Sequence, residues 1–372
     1  MLGLYLHIPF CAAICPYCNF NRGLLDAGLK ARYVEALLQE VARAGTGQPA
    51  DTIYFGGGTP SLLDPGEVAR IVAACRDAFA LMPDAEVTLE ANPETVTPSS
   101  LAAFRAAGVN RLSFGVQSLR DEELKRLGRL HDVARARQAY REARAAGFDN
   151  ISLDLMMWLP AQRPGHWQES VEGLIDLAPE HASLYLLELY PNAPLREDMA
   201  RAGWSQAPDE DAAAMYLWAF ERLEAAGYEQ YEISNVARPG RRSRHNLKYW
   251  TDGAWFGFGC GAHGTVGRER WRNVAGTEEY ASRIEQGQDP AAERRTASAR
   301  QALEEALFMG LRLTEGLDLA EVGARYGTDA WARYGPNLAR FLDAGLAERA
   351  GTRLRLTRSG MLLANEIMSV FV

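Results

Sequence analysis

What most limits the fold of this chain is a pair that recurs: a short β-rich run, then an amphipathic helix. The runs are LGLYLH (2–7), TIYFGG (52–57), EVTLEA (86–91), RLSFGV (111–116), NISLDLMM (150–157) and ASLYLLEL (182–189). Between them lie helical stripes. Val34, Leu37, Leu38 and Val41 recur at i, i+3, i+4, i+7, with Gly45 placed to stop the helix. Val68, Ile71, Val72, Cys75 and Phe79 form a second stripe, and Thr97-Pro98-Ser99 reads as a cap followed by a first-turn proline. Six βα units in series predict a parallel sheet with right-handed crossovers. The strands read as nearly continuously apolar, as strands covered on both faces do. Six units fall short of the eight of a closed barrel, so the expected class is α/β, a partial (β/α)6 TIM-like barrel. Pattern alone leaves a doubly wound sheet open.

The pattern changes after about Leu189. Tyr228 to Val236 reads as one more strand, followed by the basic stretch ARPGRRSRH and the aromatic, glycine-rich NLKYWTDGAWFGFGCGAHG. From about Ala297 the chain reads as helix, a β-hairpin around Gly351, and helix, a smaller α+β, winged-helix-like unit. At 372 residues the chain exceeds what one core usually holds, so we divide it at 1–236, 237–296 and 297–372.

Five cysteines in a chain of this length are not a disulfide framework. Cys11, Cys15 and Cys18 are bunched as CxxxCxxC, whereas Cys75 and Cys260 stand alone. That usage suits a reducing cytosol and a metal site, and the expected location is cytoplasmic. A net charge of −8 argues against broad nucleic-acid binding. No apolar run is long enough to span a bilayer, and the N-terminus lacks the basic and cleavage regions of a secretory signal, leaving peripheral membrane contact at most. Thiolates select zinc, copper or iron–sulfur. A structural zinc site needs a fourth Cys or His, for which His7 is the nearby candidate. An iron–sulfur cube on three cysteines instead keeps one iron open for a small molecule.

Ligands of parallel βα folds gather at the carboxyl ends of the strands. There the chain carries GGGTP (56–60), Glu90 in TLEANP, Gln117 in SFGVQS and Asp154 in SLDLMM. Glycines let backbone approach a ligand, and buried carboxylates demand partners. An ammonium, a sulfonium, a carboxylate and ribose hydroxyls would use such a ring well, which describes S-adenosylmethionine.

CxxxCxYC after a first strand, with GGGTP after the second, resembles the radical S-adenosylmethionine proteins. Together with YLHIPFC, EANP, SFGVQS, LGRLH and HNLKYW, it resembles the HemN/HemW family of oxygen-independent coproporphyrinogen III oxidase-like proteins, from about Leu4 to the C-terminus. The resemblance implies a [4Fe–4S] cluster on Cys11, Cys15 and Cys18, its fourth iron chelated by the methionyl amine and carboxylate of the cofactor. It places Tyr5 beside the cluster or cofactor and Gly57, Gly58 and Thr59 at the methionyl end. Glu90, Gln117, Arg129 and Asp154 would contact amino-acid or ribose groups. For Glu90 and Asp154 a structural hydrogen bond is the competing reading, and for Arg129 a solvated helix charge.

Two branches of that family differ. The decarboxylase branch typically has CxxxCxxCxC and an extension before the first strand; here Phe20 stands two after Cys18, and only Met1 and Leu2 precede the strand. Both features point to the HemW-like branch, which is associated with binding heme and delivering it to respiratory hemoproteins, as a monomer or dimer. The rival readings are coproporphyrinogen III oxidation and a radical methyltransferase or cyclopropanase. Whether the cofactor is cleaved in function stays open. The HNxxYW motif, His245 to Trp250, offers His245 as an axial heme ligand, Tyr249 and Trp250 as flat faces, and Arg241, Arg242 and Arg244 for propionates. A packing motif beside a solvated basic loop is the alternative. The other histidines read as structural, His263 the least securely. Finally, Trp158 stands where the family commonly has glycine, and a bulky residue there is expected to reshape the mouth of the site.

Overall fold

The computed structural model describes residues 1–372. Six strands, β1 (Leu2–Ile8), β2 (Pro49–Gly57), β3 (Ala80–Ala91), β4 (Arg111–Gln117), β5 (Ile151–Met157) and β6 (His181–Leu186), pair in parallel and in chain order. Helices link them, among them Ala27–Arg43, Pro65–Ala78, Pro98–Ala106, Val133–Ala145 and Pro164–Leu177. Thr97 caps the third of these and Pro98 opens it, as its sequence signal predicts. The sheet is open and strongly curved. Flat, β2 and β6 would stand ~19 Å apart, four strand spacings; instead Gly57 and Tyr185 line one cavity.

The strands correct one expectation. They are not apolar on both faces but alternate. Leu4, Leu6, Phe55, Leu89, Phe114, Leu153 and Leu184 point into the apolar core beneath the helices. Their neighbours Tyr5, His7, Tyr54, Thr88, Glu90, Ser113, Asp154, Ser183 and Tyr185 take the concave face. A period of two forces this division, and the concave side is therefore a polar chamber.

The sheet continues past its parallel part. After a short segment at Glu229–Gln230, β7 (Asn235–Ala237) runs antiparallel to β6, so the stretch read as one strand is a tight hairpin. The segment 237–296 builds β8 (Trp255–Phe258), parallel to β1, then β9 (His263–Val266), β10 (Glu269–Asn273) and β11 (Ala291–Thr296), all antiparallel. Helix Arg244–Trp250 closes the chamber floor. The Arg244 and His245 amides donate to the Glu86 carboxylate at 3.0 and 3.1 Å, and Lys248 Nζ pairs with Asp51 at 2.6 Å.

The last segment has helices Ala299–Gly310, Leu319–Tyr326 and Ala330–Asp343 and a hairpin, Ala347–Ala350 with Arg353–Leu356, turned at Gly351 (φ 62°). It does not fold around a core of its own. One cluster of 73 buried apolar residues runs from β1 to Phe371. Arg312 pairs with the fully buried Glu232 at 3.0 Å and lies 4.4 Å from the Trp250 ring, tying this segment to the β7 hairpin and the floor helix. No helix is long and apolar enough to cross a membrane.

Candidate cluster and cofactor site

A cavity of about 440 Å³ opens at the carboxyl ends of the strands. Cys11, Cys15 and Cys18 line one side of it, with Gly57, Gly58 and Thr59 beside them. Glu90, Gln117, Arg129 and Asp154 line the rest. The structure thus brings ten of the twelve sequence-predicted residues to one place. Tyr5 and His245 are the exceptions. Tyr5 stands deeper in the chamber and lines a neighbouring cavity.

The cysteines sit on a loop held from three sides. Gly23 N donates to Pro9 O at 2.7 Å and Leu25 N to Cys11 O at 2.9 Å, closing the loop on itself. Gly58 N donates to Ile8 O and Thr59 N to Phe10 O, both at 2.8 Å, fastening it to the end of β2. Leu195 N donates to Pro16 O at 3.1 Å. Glycine is required at this seam: a Cβ on Gly58 would lie 2.7 Å from Phe10 O, and one on Gly57 (φ 116°) 2.6 Å from the His7 ring. The amides of the GGGTP segment are thereby spent on the cysteine loop and on Glu90. Thr59 Oγ1 donates to Cys11 Sγ at 3.6 Å, while burial pushes the Cys11 thiol up.

All five cysteines are free thiols, and no set of three or more His, Cys, Asp or Glu is gathered closely enough to hold a single ion. His7 is not available as a fourth ligand. Its Nδ1 bonds Tyr5 Oη at 3.1 Å and its Nε2 bonds the Asn21 carbonyl at 2.7 Å. A zinc ion draws four donors to within ~2.3 Å of one point, whereas a cube spreads its thiolates over its corners. Three thiols on one cavity wall suit the cube.

The opposite wall is rich in acceptors. Glu90 accepts from Tyr54 Oη at 2.7 Å and Gly57 N at 3.2 Å; Asp154 accepts from Ser113 Oγ at 3.2 Å and Ser152 Oγ at 3.3 Å. All four donors are neutral, and neither carboxylate has an ion pair. Burial, reinforced by Asp154, pushes the Glu90 carboxyl up to about 7, and burial raises Asp154 as well. Two buried carboxylates without a contacting cation form a site that a cationic ligand would relieve. Gln117 adds an unpartnered buried Oε1 and a left-handed backbone (φ 69°), a strain of a kind that collects at functional sites. Burial works against the Arg129 charge, but Tyr17, Cys15 and Glu94 outweigh it and raise its pKa. Arg129 is no solvated helix charge. Its Nη2 donates to Asn92 Oδ1 at 2.6 Å and Gly115 O at 2.9 Å, its Nη1 reaches Cys15 Sγ at 3.4 Å, and its Nε is unpartnered.

His245 requires a correction. It is fully buried in the floor helix, at the end of the chamber opposite the cysteines, and both ring nitrogens are taken, Nδ1 by Thr52 Oγ1 at 2.8 Å and Nε2 by Tyr249 Oη at 2.9 Å. Burial first, then Lys248, lowers its pKa to about 3. It has no nitrogen free for iron. The neighbouring arginines are paired too, Arg244 with Asp51 and Asp84, Arg241 with Asp149, Arg242 with Glu229. The motif packs a floor. Trp158 also differs from expectation. It does take the glycine-like backbone (φ 62°), but its ring does not line the cavity; Nε1 donates to Ala207 O at 2.7 Å, and Gln206 Nε2 donates to its carbonyl at 2.9 Å. Asn92, which joins Arg129 to Thr59 (3.3 Å), and Ser113 went unassigned. Asn92 lies inside EANP, and the alternation of β4 would have found Ser113.

Comparison with known proteins agrees with this geometry. The family description "Radical SAM superfamily" matches residues 5–174, and "HemN C-terminal domain" matches 297–363. The heme chaperone HemW of Bacillus subtilis (strain 168) is 36% identical over 376 residues, covering 100% of this chain and 99% of that protein. HemW of Mycobacterium tuberculosis (strain ATCC 25618 / H37Rv) is 39% identical over 373 residues, 98% of this chain and 93% of that one. The solved coproporphyrinogen III oxidase HemN of Escherichia coli superposes with a TM-score of 0.88 at 23% identity, covering 100% of this chain and 89% of that one, a likeness of fold. The chain belongs to the HemW family of radical S-adenosylmethionine proteins.

Proposed function

We propose that this chain is a cytoplasmic heme chaperone that carries a [4Fe–4S] cluster on Cys11, Cys15 and Cys18, binds S-adenosylmethionine in the adjoining cavity, and delivers heme to respiratory hemoproteins. The observation that carries the reading is end-to-end similarity to proteins named heme chaperone, 36% over the whole chain. The acceptor-rich cavity supports the cofactor. With both groups bound, a reduced cluster supplies one-electron cleavage of the cofactor's C–S bond. The protein's own part is positional. Glu90 and Asp154 receive the cofactor's cationic and hydroxyl groups, Gln117 offers its free oxygen, and Arg129 holds the cysteine loop and Asn92 in register. Tyr17 and Ile14 add apolar surface to the cavity wall, which disfavours water there.

Anaerobically reconstituted protein is titrated with hemin, then mixed with an apo-cytochrome, and assayed separately with coproporphyrinogen III. The reading predicts stoichiometric hemin binding, transfer to the apoprotein and no turnover of the porphyrinogen. Efficient decarboxylation without hemin transfer would instead establish the oxidase reading.

A further inference from the structure

Resting on the reading that this chain carries heme, we propose that the heme sits in a second cavity beside the cluster cavity, with His263 as its axial iron ligand. This cavity, about 510 Å³, shares Asn19, Phe20, Gly57 and Glu90 with the first, so an occupant of one adjoins an occupant of the other. Its walls include Phe20, Tyr249 and Trp255. Phe20 is 70% exposed, an aromatic ring held in water at the junction of the two cavities. Such a ring offers a flat face to a macrocycle.

The histidines decide the ligand. His7, His131, His181 and His245 each have both ring nitrogens engaged by the protein. His166 receives the Arg163 amide on Nδ1 and lies in helix Pro164–Leu177, away from both cavities. His263 is left. It begins β9, is exposed, lines the second cavity, and has no protein partner on either nitrogen. Partial burial, then Arg272, lowers its pKa, so its imidazole is neutral and ready to coordinate near pH 7. Arg272 lies directly across the β9–β10 pair from His263 and holds only a 3.9 Å contact with Glu293, leaving its fork free for a propionate.

The test is a hemin titration of cluster-loaded wild type, His263→Ala and His263→Gly, read by Soret position, low-temperature electron paramagnetic resonance and dissociation constant. Circular dichroism melting confirms folding, which an exposed strand end should survive. We expect loss of the histidine-ligated spectrum and at least about tenfold weaker binding in both variants, and recovery of the spectrum in His263→Gly on adding imidazole. A wild-type spectrum and affinity in folded His263→Ala overturns the placement while leaving heme carriage intact. Failure of the wild type to bind hemin overturns heme carriage, and this placement with it.

Discussion

At residue scale the two buried carboxylates set the pH behaviour. Glu90, raised to about 7, binds a proton in the folded protein that the unfolded chain has already released above about pH 5. Its contribution is thus full at low pH and is lost as pH rises through 7. Melting of cofactor-free protein should show stability falling across pH 5–8, and Glu90→Gln should flatten that slope; an unchanged slope would remove Glu90 as its source. A cationic ligand reverses the preference. Affinity for S-adenosylmethionine should rise from pH 6 to 8 in wild type and be pH-flat and about tenfold weaker in Glu90→Gln, by calorimetry. Trp158 pits strain against an anchor. Trp158→Gly should relieve ~1 kcal/mol of backbone strain yet remove the indole bond to Ala207 and loosen the segment 205–207, read as faster proteolytic nicking there. The carboxylates were legible because each interrupts an apolar run. His245 was not, because two of the groups that hold it, Thr52 on Nδ1 and Glu86 on its amide, lie some 160–190 positions earlier in the chain.

Among the elements, the floor helix and the cysteine loop carry opposite kinds of importance. His245→Ala strands Thr52 and Tyr249 without partners in a buried layer, and should cost about 2–4 kcal/mol by denaturant titration without moving the heme Soret band. A lost Soret band in a folded variant would restore His245 as ligand. Gly58→Ala drives a methyl against the carbonyls of Phe10 and Ile8. It should lower iron incorporation on reconstitution several-fold while the barrel still melts cooperatively. The six βα units could be read because their helices carry clean apolar stripes. The polar concave face could have been read and was not: Tyr5-Leu6-His7 and Ser152-Leu153-Asp154 alternate strictly, but the larger apolar neighbours dominate a composition reading. The outermost strand of the antiparallel extension, β11, was hidden for a physical reason. Sequences such as AAERRT face water almost throughout, so pairing rather than burial defines them.

For the whole molecule, one shared core binds the terminal segment to the barrel. Heating should give a single calorimetric transition, and Glu232→Ala, which leaves Arg312 without its buried partner, should lower stability by about 3 kcal/mol; two separate transitions in wild type would contradict the shared core. The return of helical patterning near 297 suggested a boundary, but the sequence held no sign that the residues on its two sides pool their apolar side chains in one core. The central claim concerns the vacancy on the cluster. The most direct measurement is electron paramagnetic resonance of anaerobically reconstituted, reduced protein, with iron counted and S-adenosylmethionine added or withheld. We predict about four irons per chain, a signal whose shape changes on adding the cofactor, and loss of both in a Cys11, Cys15 or Cys18→Ala variant. Zinc in place of iron, or an iron signal indifferent to the cofactor, would contradict the account.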